Sequence, residues 1–95
     1  MMRQAPRQAL RTIKSRVRWN AFSYSQFAFE SMVDRSIYEE DVKRTVATAR
    51  LLETRERDGL GTCYVLQGFA MDEEAMVVVC RLLRRKVEVV DLYWD

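Results

Sequence analysis

Ala75-Met76-Val77-Val78-Val79-Cys80-Arg81-Leu82-Leu83 is the stretch on which the fold turns. Its apolar run from Ala75 to Cys80 is six residues long. A membrane span takes about 20, so the run reads as a central strand buried on both faces. Upstream, Met71-Asp72-Glu73-Glu74 forms a turn, and Thr62 to Phe69 alternates as a strand, Tyr64 and Leu66 against Val65 and Gln67. Asp58-Gly59 marks an earlier turn, preceded by a strand from Arg50 to Arg57. Downstream, Arg84-Arg85-Lys86 turns the chain into a last strand, Val87 to Trp94. Its apolar parity changes between Val89 and Val90, which predicts a bulge or burial on both faces. Short connections between four consecutive strands make an antiparallel meander.

The first half carries helical spacing instead. Ala9, Leu10, Ile13 and Val17 share one face of a helix over residues 5–18. Ser23 with Gln26 matches a capping box, and Phe22 with Phe27 a hydrophobic staple, for a second helix that ends at Asp34-Arg35-Ser36. A third helix is expected over residues 39–49, with Val42, Val46 and Ala49 inward. Glu39–Lys43 and Glu40–Arg44 stand at (i, i+4) spacing on it, and Glu39, Glu40 and Asp41 suit its N-terminal dipole. Helices first and strands second define an α+β class, with N-terminal helices on one face of a four-stranded sheet. The 95 residues make one domain, helical over 1–49 and sheet over 50–95.

Composition narrows the chemistry. The chain has no His, which excludes Ser-His-Asp and Cys-His nucleophile systems and leaves little for a zinc site. No metal or cofactor is expected. Two Cys make no disulfide framework; Cys63 and Cys80 read as reduced thiols, diagonal neighbours on one sheet face. With no secretory signal read at the start, a cytoplasmic location is expected. The first 22 residues hold six basic side chains and no acidic one, so a basic head precedes a mildly acidic body.

Several residues are candidates for binding or catalysis. Arg7, Arg11, Lys14 and Arg18 form a stripe along the first helix, either a solvated face or a ridge that contacts phosphates. Arg81 interrupts an apolar strand and needs a partner or the surface. Arg35 stands at a joint between helices, as a cap of carbonyls or as an anion clamp. Tyr64 and Tyr93 are packing residues or proton donors on the open sheet face, and Trp94 is a candidate to pack against the first helix.

The run from Ser23 to Val42 resembles a small bacterial domain of unknown function with the pattern Ser-x-His-Ala, Met, then Glu-Arg-Gly-Ile-Ser-x-x-Asp-Val. Tyr64-Val65-Leu66-Gln67-Gly68, Met76-Val77-Val78-Val79 and Asp91-Leu92-Tyr93 fill the places of its later strand motifs. The domain is similar to the RelE-like (BECR-type) ribonuclease toxins, which are often paired with zinc-finger, helix-turn-helix antitoxins. The resemblance implies a RelE-like fold and an RNA-cleaving pair of His and Arg. Arg35 matches the Arg and Tyr93 the terminal Tyr, but Phe27 stands at the His position, Ser36 at the Gly and Tyr38 at the Ser.

Two readings follow. In one, the chain is a ribonuclease toxin with a degenerate centre. Arg35 and Tyr93 act in catalysis, Arg7, Arg11, Lys14, Arg18 and Arg81 hold RNA, and an antitoxin and the ribosome are partners. In the other, it is a non-catalytic protein- or RNA-binding module of the same fold. Self-association of two copies through a sheet edge is a third expectation.

Overall fold

The computed structural model describes residues 5–95. Arg3 of the basic head lies outside the described residues. The order is α1 (Pro6–Arg18), β1 (Phe22–Tyr24), α2 (Gln26–Arg35), α3 (Glu39–Thr48), β2 (Arg50–Arg57), β3 (Gly61–Phe69), β4 (Ala75–Leu82) and β5 (Val87–Trp94). The strands form one sheet in the order β1-β5-β4-β3-β2, so β2 to β5 are the expected antiparallel meander. The expected four strands become five, because β1 pairs parallel to β5 with Phe22 opposite Val87 and Tyr24 opposite Val89.

That extra strand corrects the expected start of α2. Ser23 lies in β1, and Ser25 is the cap, its Oγ accepting from the Ala28 N–H at 3.1 Å. Ser25 Oγ also donates to the Val90 carbonyl at 3.3 Å, which fastens the helix start to β5. The staple does not form. Phe22 instead meets Tyr24 edge-on at 5.6 Å, and Phe27 stands 62% exposed in the first turn of α2. Helix α2 stops where Ser36 turns left-handed, at φ 54°.

All three helices cover one face of the sheet. Ala9, Ile13 and Val17 of α1, Ala28 and Met32 of α2, and Val42 and Val46 of α3 meet Leu66, Met76, Val78, Cys80, Val89 and Leu92. Removing this apolar surface from water drives the packing, at about 25 cal/mol per Å². Helix α3 approaches β3 so closely that a Cβ on Gly68 would lie 2.1 Å from the Thr45 carbonyl oxygen. Asp41 joins two elements, accepting from the Tyr38 N–H and the Met71 N–H, each at 3.1 Å. Arg16 on α1 donates to the carbonyls of Leu83, Lys86 and Arg84 and so clasps the β4–β5 turn.

Strand β4 is buried on both faces, as its apolar run predicts. The side without helices carries a second cluster of Cys63, Val65, Val77, Val79 and Val90, with Leu60 and Tyr93 against it. The parity change in β5 is a bulge: Val79 pairs with Asp91 and Cys80 with Val89, leaving Val90 unpaired. A second bulge at Leu52 breaks the register of β2 against β3.

Two further expectations are corrected. Tyr64 pairs with Cys80, so Cys80 faces the helices while Cys63 faces the other side. The hairpin centres on Asp72, and in that register Cys63 sits one position from the Tyr64–Cys80 pair; residues one position apart point to opposite faces, so the thiols are not same-face neighbours. Trp94 reaches α2 rather than α1, donating from Nε1 to the Arg35 carbonyl at 3.1 Å. Among the described residues no helix is long and apolar enough to cross a membrane.

Candidate nucleic-acid interface

Helices α1 and α3 lie side by side, and a groove of about 650 Å³ opens between them. Lys14 and Arg18 come from α1, Lys43 and Arg44 from α3, and Glu40 and Met71 close one end. Val17, Val46 and Ala47 are its apolar floor. Lys14 Nζ donates to the Ala47 carbonyl at 3.2 Å, which ties α1 to the last turn of α3. Arg11 and Arg7, both exposed, continue the stripe toward the start of α1.

The groove's four cations face one lining acid, Glu40, while Glu39 and Asp41 beside it are bonded to other elements. Glu39 accepts from the Tyr24 hydroxyl at 3.3 Å, and Asp41 from two backbone N–H groups. The expected (i, i+4) pairs Glu39–Lys43 and Glu40–Arg44 are not closed; the salt bridges among the described residues are Arg55–Glu53 and Arg81–Glu88. Lys43 and Arg44 were thus concealed in the sequence by apparent partners. Basic residues on a face next to an apolar stripe were the signal that marked them.

The other candidates lie apart. Arg35 is the last residue of α2, on the helical side of the sheet, with its side chain exposed. Tyr93 pairs with Val77 and packs against the cluster on the opposite side. The two residues that the resemblance would put in one catalytic centre thus belong to opposite faces of the sheet. Phe27, at the family His position, is eight residues before Arg35 on the same helix, about 12 Å along its axis. Arg81 also faces the helix-free side, bonded to Glu88 at 2.8 Å and to the Leu60 carbonyl at 3.3 Å. It answers its need for a partner there, and it does not join the α1 stripe.

The thiols and Tyr24 are not poised to donate or accept protons near neutrality. Burial pushes the Cys80 thiol up to about 12 and raises that of Cys63 as well. Burial, then the Glu39 charge beside it, raises the Tyr24 hydroxyl.

Fold and site together define a small α+β domain whose helical layer presents a cationic groove. A family model for a domain of unknown function, DUF4258, matches residues 24–94, and the chain belongs to that family. Helix α1, with half of the groove's cations, lies outside the matched residues. No curated protein and no solved structure matches the chain.

Proposed function

We propose that the protein binds RNA through the groove between α1 and α3 and does not cut it. The observation that carries this reading is the gathering of Lys14, Arg18, Lys43 and Arg44 from two helices, with Glu40 the one acid among them. Phosphates that replace condensed counterions on such a surface gain affinity from ion release. The apolar floor offers contact to sugars and bases that charge alone does not.

The separation of Arg35 from Tyr93 supports binding over a RelE-like cleavage. Attack by a 2′-hydroxyl needs a base, an acid and a cation converging on one phosphate. Tyr93 on one side of a sheet and Arg35 on the other do not converge, and Phe27 supplies neither base nor acid.

Fluorescence anisotropy with a labelled oligoribonucleotide over a salt series tests the reading. The wild type is expected to bind with a falling log–log salt dependence and to return the RNA intact. Lys43→Ala with Arg44→Ala should weaken binding about tenfold and flatten the salt slope by about 1.4, for two lost single-strand contacts. Unchanged binding in that double variant, or shortened RNA in the wild-type reaction, overturns it.

A further inference from the structure

The helix that supplies half of the groove ends in an unburied aromatic. Trp19 caps α1 and is 75% exposed, the most exposed large apolar side chain among the described residues. Its backbone is held firmly: Trp19 N–H donates to the Ser15 carbonyl at 3.1 Å. Asn20 follows in the left-handed region at φ 62°, and the Ala21 N–H returns to the Arg16 carbonyl at 2.7 Å. An exposed indole alone has no meaning, since isolated apolar residues are common on surfaces. Here a second observation ties it to the groove. The Arg18 guanidinium that lines the groove also lies over the Trp19 ring, 5.8 Å from its centroid.

We infer that Trp19 is a stacking platform for an unpaired base, and that the groove therefore selects single-stranded over duplex RNA. This rests on the RNA-binding reading above and adds the strand class to it. In a duplex the base faces are covered by their neighbours; only an unpaired base can lie flat on an indole. A strand whose phosphates follow Lys14, Arg18, Lys43 and Arg44 passes Arg18 on its way to Trp19. Arg18 then bonds a phosphate while keeping one side of the ring covered, and the open side takes the base.

The test titrates wild type, Trp19→Ala and Trp19→Tyr with a labelled 12-nucleotide oligouridylate, a duplex of the same length, and polyglutamate. Trp19 does not contribute to the core, so all three proteins are expected to melt together. Wild type should prefer the single strand. Trp19→Ala should bind it about tenfold or more weakly, from the loss of one base stack, with an unchanged salt slope. Trp19→Tyr should recover most of that loss.

Single-strand binding that Trp19→Ala leaves intact, while Lys43→Ala with Arg44→Ala loses it, overturns this inference and keeps the RNA reading. Equal affinity for duplex and single strand does the same. Polyglutamate bound as tightly as oligouridylate, or no RNA binding by wild type, overturns both.

Discussion

Trp94 Nε1 donates to the carbonyl oxygen of Arg35 at 3.1 Å, so the end of β5 holds the end of α2. The bond uses the backbone of Arg35 and leaves its guanidinium exposed to solvent. Trp94→Phe should therefore lower stability by about 1 kcal/mol, the usual net worth of such a bond. Urea denaturation measures it.

Arg35→Ala keeps that bond and loses only a favourable charge at a helix C-terminus, worth about 0.5 kcal/mol. Induced expression should leave bacterial growth unaffected by wild type and variant alike. Arrest by a soluble wild type that Arg35→Ala relieves would restore the toxin reading. Phe27→His should not create ribonuclease activity either, because its imidazole would stand a helix length away from Arg35.

Gly68→Ala should cost about 3 kcal/mol, the upper range for overpacking, because the new Cβ meets backbone at Thr45 rather than a side chain that can turn aside. Gly59→Ala is the comparison: it has open space around it, and its cost comes from φ +80° alone, about 1 kcal/mol. Equal losses in the two variants, read by chemical denaturation, would mean that the α3–β3 approach is looser than described.

Arg16→Ala removes three bonds to the carbonyls of residues 83 to 86. A loss of about 2 kcal/mol is expected, since bonds from a charged donor are the stronger kind. Amide exchange of the β4–β5 turn should accelerate before that of β3. Uniform acceleration would show that the clasp serves the whole domain rather than the turn.

Stability should fall as pH rises above about 9. The ordinary thiol value is 9.0, and burial raises Cys80 to about 12 in the fold. Between those values the unfolded chain has lost a proton that the folded chain keeps, so stability declines with pH, by up to about 1.4 kcal/mol per unit for one group. Cys63 and Tyr24 are raised too and act in the same direction. Cys80→Ala should make the decline shallower; identical pH profiles would remove Cys80 as its source.

The sequence made the meander legible because each strand carries its own period and each turn its own residues. The parity change at Val90 was readable as a bulge or as burial on both faces, and the pairing of β5 with β4 decides for the bulge. Strand β1 was not: three half-buried residues carry no period, and Ser23 with Gln26 imitated a cap that Ser25 forms. The α1 stripe was legible as charge at helical spacing. Its continuation through Lys43 and Arg44 was hidden, because a carboxylate four residues earlier reads as a partner, whereas in the fold Glu39 bonds Tyr24 and Glu40 lines the groove without bridging to Arg44. Arg35 and Tyr93 were chosen by resemblance, and linear order does not tell which side of a sheet a residue faces.

Ile13 and Val17 are almost fully buried under a sheet whose other helices lie within the DUF4258 match, and β1 begins at Phe22, two residues before it. The piece that can be recognised is thus smaller than the piece that can fold. A gene trimmed to residues 24–94 would encode Cys80 and Val89 with part of their roof missing. Such a fragment would be expected to aggregate, and its failure would be mistaken for a property of the family. Comparative work on these domains needs boundaries drawn from the core, with whatever precedes the matched segment kept in place until shown to be dispensable.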